Sequence, residues 1–353
     1  MLKEEFQAEA LTFRDHLEVI EAFHERRWTD GLPVIPPTPD LVAAMVAGAG
    51  RSAREVVAVV PPRWAEATVE NVAINAVMAG CKPEYMPVLL AAVEAACDPV
   101  FSLYSVQATT HPCAVLMVVT GPVVKEIKLN CEHGIFGPGH RANASLGRAM
   151  RLILLNVGGG LPGHGDQSTQ GSPGKYSYCI AENEAATPWE PYRVMLGYGR
   201  EDSTVTVFAG ESPHNCHDRV CATPHSPLRV AASAMSTFAH NNSNAVKVGD
   251  ILWVVCPEHA KVMARGGLTP ADLRQYLFEH ARNTRARMTD WGPHRMENWP
   301  LWVSRDDPRA RVPIVGRPED IHIVVAGGPG KHSAFIPTFG FQKSVTRKVQ
   351  TVT

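Results

Sequence analysis

Apolar residues recur with a helical period over residues 12–27, and the proline-rich segment "WTDGLPVIPPTPD" follows as an extended stretch. Thr38 before Pro39 marks a helix start, because threonine caps free amides and proline fits the first turn. "VVAVVPP" is a short β-branched run closed by prolines and reads as a strand. Two helices come next, one stopped at Gly80 and the other starting near Pro83. "AVLMVVTGP" predicts a buried strand, and "ANASLGRAMRLILLNVGGG" a helix ending in glycines. Residues 158–203 then lose all period and are rich in Gly, Pro and Ser. A loop of that length in a compact domain is usually functional or disordered, and its aromatics with Glu182 and Glu184 favour an ordered one.

The second half returns to a strand-then-helix order. "STVTVFAGESPHN", "DILWVVCPEHAKV" and "DIHIVVAGGPGKHS" share one layout: a small polar or acidic residue, a β-branched run, a Gly or Pro, then a histidine (His214, His259, His332). "AVLMVVTGPVVKEI" has the same shape without the histidine. The recurrence predicts an α/β chain of βα units, with mostly parallel sheet covered by helices and room for two similar halves. The expected division is a helical and α/β half over 1–157, the long loop over 158–203, and a second α/β half over 204–353. "TDWGPHRMENWPLWVSRDDPRARVP" carries three tryptophans. It is expected to cover one domain or a neighbour, which leaves room for a homo-oligomer.

Length and charge narrow the class. The 353 residues suffice for one large or two ordinary domains, and 45% hydrophobic with 20% charged residues is a globular balance. A net charge of −1 offers no attraction to nucleic acid or an anionic membrane, so neither is an expected partner. No apolar run reaches the roughly 18 residues of a bilayer span. The first residues lack the basic-then-apolar form of a secretory signal. The eight cysteines are scattered, which points to free thiols in a reducing cytoplasm.

The candidate chemistry lies where strands end, because parallel strands present their carboxyl ends to one crevice. There Gly327, Gly328 and Gly330 would let backbone amides approach an anion, with Lys331 adding charge and Ser333 a hydroxyl. His214, His259 and His332 would converge as acid/base groups, with Glu182 as a base from the long loop. His140 and Arg141, before a helix, form a second anion candidate. "HNCHDRVCATPH" offers His214, His217 and Asp218 to a divalent transition metal, though its spacing matches no structural zinc pattern. Cys81 sits near a helix start beside Lys82, and both features lower a thiol's pKa. Cys97, Cys113, Cys179 and Cys256 lie in apolar runs and read as core. Gly158–Gly163 matches G-x-G-x-x-G in letters only, since a helix precedes it and a loop follows. "GGPGKHS" lacks the first glycine and the final Ser/Thr of a P-loop.

Three pieces carry a resemblance: "RWTDGLPVIPPT" with "NAVMAGCKPEYMPVLLAAVEA", "GPGHRANASLGRAMRLILLNVGGG", and "SPHNCHD" with "CPEHAKVMARGGLTPADLRQYLFEHA". Together they resemble a bacterial family associated with UGSC-type (seleno)proteins. The resemblance implies a thiol or selenol partner protein, and no catalytic residue follows from it. The first expectation is a cytoplasmic hydrolase or lyase acting on a small anionic, carboxylate-bearing substrate. A thiol-dependent oxidoreductase subunit using Cys81 is the rival, and a non-catalytic binding or assembly protein the third reading.

Overall fold

The computed structural model describes residues 6–350 apart from 239, 245–247 and 290–298. Its strands are β1 (Val56–Val60), β2 (Ala65–Thr68), β3 (Ala114–Thr120), β4 (Cys179–Ala181), β5 (Thr204–Gly210), β6 (His214–His217), β7 (Ile251–Val255), β8 (Arg282–Thr284), β9 (Arg311–Pro313), β10 (Ile321–Val325), β11 (His332–Ile336) and β12 (Val345–Lys348). β1–β2 and β8–β9 are small ladders. The others form two four-stranded sheets, in the orders β12-β5-β3-β4 and β10-β7-β11-β6.

The chain is α/β, as its patterns predict, but the sheets are mixed. Each holds one parallel pair, β3 with β4 and β7 with β10, and its remaining ladders are antiparallel. The reason is local. A parallel neighbour needs a long crossover, which the helices Arg141–Asn156 and Pro257–Arg265 with Pro270–His280 supply. β5 and β10, by contrast, are each followed by another strand and no intervening helix, so the βα repeat fails at those two places. The long loop also holds β4, an edge strand of the first sheet.

The two sheets repeat one plan. In each, a first strand (β3, β7) gains a parallel neighbour (β4, β10), and a third strand (β5, β11) returns antiparallel on its other side. The fourth strand is exchanged. β6 follows β5 in the chain but pairs with β11, and β12 follows β11 but pairs with β5. The first sheet therefore draws strands from either side of residue 203, whereas all four strands of the second follow it.

Face to face, the sheets enclose Leu116, Val118 and Phe208 from one and Leu252, Val254 and Ile336 from the other. The opposite face of the first sheet, with Met117, Val119 and Val207, packs on residues of the helices Val69–Ala79, Met86–Ala96 and Arg141–Asn156. That of the second, with Trp253, Val255 and Phe335, packs on the helices Ser226–Met235, Pro257–Arg265 and Pro270–His280. The result is four layers, helix–sheet–sheet–helix. Strands buried on both faces need apolar residues throughout, which is why β3, β5 and β7 read as continuous runs. Full burial of Trp253 and Phe335 contributes roughly 1.5–3 kcal/mol each.

Within the tryptophan-rich stretch, residues 290–298 lie outside the described residues. Trp299 is buried with Met288 and Val303, whereas Trp302 is 56% exposed. Among the described residues no helix is long and apolar enough to cross a membrane.

Candidate functional site

In each half, the segment between the second and third strands passes across the carboxyl end of the first. Residues 182–203 cross the end of β3, and residues 326–331 cross the end of β7. The two crossings touch: Asn183 N–H donates to the Val325 carbonyl at 2.8 Å and its Nδ2 to the Gly327 carbonyl at 3.4 Å, while Gly327 N–H is held by the Cys131 carbonyl at 2.9 Å. The carboxyl ends of β4 and β10 thus lie together, where an open α/β sheet binds its ligands.

At the second crossing two predicted groups, Ser333 and His259, meet Cys256. Ser333 Oγ accepts the N–H of Cys256 at 3.0 Å and stands 2.8 Å from His259 Nδ1 and 3.5 Å from Cys256 Sγ. All three residues are buried. Burial lowers the pKa of His259, and Asp218 opposes the shift. Burial also raises that of the Cys256 thiol, against the Ser333 hydroxyl and the main-chain amides of His259 and Glu258. Cys256 is buried, as its apolar run predicts, and is also the N-cap of the helix Pro257–Arg265.

One strand position away, His332 lies flat on His217, with ring centroids 4.1 Å apart and planes within 8°. They face each other across β11 and β6 and are exposed. Asn215 Oδ1 is 2.9 Å from Nδ1 of His332. With that oxygen as acceptor, the neutral ring has its proton on Nδ1 and its lone pair on Nε2. His214 does not join them. It pairs with Phe335 at the other end of β6, about 10 Å along the strand from His217. Asp218 is bonded to the Ser226 hydroxyl and the Cys221 N–H. Among the described residues no group of three His, Cys, Asp or Glu is placed to hold a metal ion, so His214, His217 and Asp218 are not the metal set their spacing invited.

The glycine turn joins two strands and opens no helix. Gly327 (φ +99°) and Gly330 (φ +138°) occupy conformations that side chains disfavour. A Cβ on Gly328 would fall 2.3 Å from Nδ1 of His133, so the missing side chain makes room for that imidazole. Lys331 Nζ donates to the carbonyls of Arg219 and Val220 at 3.0 and 3.4 Å, bracing the neighbouring loop.

The segment carrying His133 runs on to His140 and Arg141. Asn143 ties it down by accepting the Asn130 N–H at 2.8 Å. Arg141 Nε donates to the Gly80 carbonyl at 2.9 Å, which brings that guanidinium beside Cys81. The thiol, however, is buried, and burial pushes its pKa up to about 12 against the Ser145 hydroxyl and Arg141. The helix following Cys81 begins at Met86, after a turn at Pro83–Tyr85, too far on to lower it. The expectation of an activated Cys81 is therefore overturned.

At the first crossing, both carboxylate oxygens of Glu182 lie within 3.0 Å of the Tyr192 amide. Burial pushes this carboxyl up to about 7, against the Tyr192 N–H. Arg193 bonds Glu184 and, at 3.2 Å, the Thr120 hydroxyl. Sequence reasoning missed the network beyond. Tyr192 Oη lies 2.7 Å from His322 Nδ1, and His322 Nε2 lies 3.1 Å from Asp250. The signal was available: His322 is the polar residue inside "IHIVV", and a polar group in a buried strand needs a partner. In comparisons with known proteins, no family model, curated protein or solved structure matches the chain.

Proposed function

We propose that the chain is an enzyme that performs acid/base chemistry, hydrolytic or lyase in type, on a small carboxylate-bearing substrate at the second crossing. The observation that supports this reading is the His332–Asn215 bond, which fixes the imidazole tautomer and leaves an accessible Nε2 to take or give a proton. The substrate carboxylate would sit on the glycine turn, beside His133 and Lys331. His259 and Ser333 lie beneath and position the strand. Arg141 acts elsewhere, on Gly80.

Thermal-shift and ligand-observed NMR screening of small mono- and dicarboxylates tests the reading. At least one should bind, and His332→Ala should abolish its turnover while melting as the wild type does. Unchanged turnover in the variant removes His332 from the chemistry.

One observation favours the thiol reading in a changed form. Cys256, not Cys81, has a hydroxyl and two main-chain amides directed at its sulfur. A thiol or selenol partner protein, implied by the family resemblance, would then act on Cys256. Mass-mapped alkylation at limiting reagent separates the two: preferential labelling of Cys256, abolished by the bound carboxylate, favours the thiol.

A further inference from the structure

A second polar site lies away from the strand ends, under the first part of the long loop. A cavity of about 20 Å³ is lined by Gln107, Cys113, Gly147, Arg151 and Lys175, among others. That volume holds one particle the size of a water molecule. Asp166, buried beside it, accepts from Arg151 Nη2 at 3.1 Å and from Lys175 Nζ at 2.6 Å. Two cations thus share one carboxylate. The lining itself carries Arg151 and Lys175 and no carboxylate.

Arg151 is only 8% exposed. Its hydrogen bonds all leave from Nη2, to Asp166 and to the Gly160 carbonyl at 3.0 Å. Among the described residues Nε and Nη1 have no protein acceptor, and the residue borders the cavity. Burying donors without an acceptor costs free energy. A carboxylate or phosphate is too large for the space, whereas a single halide ion fits both the size and the sign.

We infer that this cavity binds chloride, held by Arg151 and Lys175 and bracing residues 158–176 against the helix Arg141–Asn156. The bound ion gives the guanidinium N–H groups that border the cavity their acceptor.

Thermal unfolding at constant ionic strength, with sodium gluconate exchanged for sodium chloride or bromide, tests the site. Chloride and bromide should raise Tm saturably, by about 2–4 °C once they exceed Kd several-fold. Lys175→Met, which leaves Arg151 and Asp166 as a neutral pair, should lose that response. Crystals of the unaltered protein soaked in bromide should show an anomalous peak between Arg151 and Lys175, and this decides the matter if the variant does not fold. Equal response to gluconate, or a cavity without bromide, means water alone occupies it and overturns the inference.

Discussion

The hydroxyl of Tyr192 and Nδ1 of His322 are 2.7 Å apart between the two sheets, joining residues 130 positions apart in the chain. In the neutral ring, with Nε2–H directed at Asp250, Nδ1 accepts the phenolic O–H, and Tyr192, His322 and Asp250 are linked in one direction. Burial alone would raise the Asp250 pKa, but His322, Lys343 and the Ser344 N–H hold it at about 2. Tyr192→Phe strands a buried ring nitrogen and should cost about 1–3 kcal/mol in urea unfolding. A depressed carboxylate stabilises the fold above its unfolded pKa, and the contribution fades as pH falls from about 4 through 2. The stability gap between wild type and Asp250→Asn should therefore shrink over that acid range. A gap constant from pH 7 to pH 2 would contradict the assigned network.

Glu182 titrates with the opposite sign. Its carboxyl is raised to about 7, so between about 4.5 and 7 the folded state holds a proton that the unfolded state has released. Stability then falls as pH rises through that window. Glu182→Gln keeps an oxygen for the Tyr192 N–H and removes the buried charge. It should stabilise the protein at pH 8 by on the order of 2–3 kcal/mol and leave it unchanged near pH 4. Equal stability of the two proteins at pH 8 would show that Glu182 ionises freely.

How legible these features were depended on burial. β5, β7 and β10 announced themselves because most of their residues face a core. His259, Ser333 and His332 were found because they follow or open strands. β4 and β6 were invisible, since "CIA" is too short to alternate and "HNCH" is polar at a sheet edge. Cys256 was rightly read as buried, but its place as an N-cap was missed, because an apolar run and the N-cap that ends it look alike in sequence. Position relative to a helix start misled at Cys81, where burial outweighs the nearby cation. The exchange of β6 and β12 has no local signature, because both could pair with their own neighbours by pattern alone.

Glycines in the two Gly-rich segments differ in what replaces them. A Cβ at Gly158 would lie 2.6 Å from the Leu154 carbonyl oxygen and 2.7 Å from that of Pro61. Backbone atoms cannot give way cheaply, so Gly158→Ala should cost about 1–3 kcal/mol or more. At Gly328 the obstacle is the exposed His133 ring, which can swing aside. Gly328→Ala should cost under about 1 kcal/mol yet shift the His133 resonances in NMR spectra. The reverse ranking in chemical denaturation would mean that the turn at Gly328, and not Gly158, is the rigid contact.

Strand exchange makes the halves interdependent. Cut before Asp250, residues 1–249 keep β3, β4 and β5 but lose β12, so Val207 and its neighbours lack their ladder partners. Residues 250–353 keep β7, β10 and β11 but lose β6, which opens the edge at Ser333. Each piece also bares an inner face, Leu116 and Phe208 on one and Leu252 and Ile336 on the other. An unpaired edge beside an apolar face is a template for aggregation. Expressed alone, each piece should be insoluble or melt without cooperativity, while the two co-expressed should copurify as a one-to-one complex. Either piece giving a sharp, reversible melt alone would show that the exchanged strands merely decorate two self-sufficient domains.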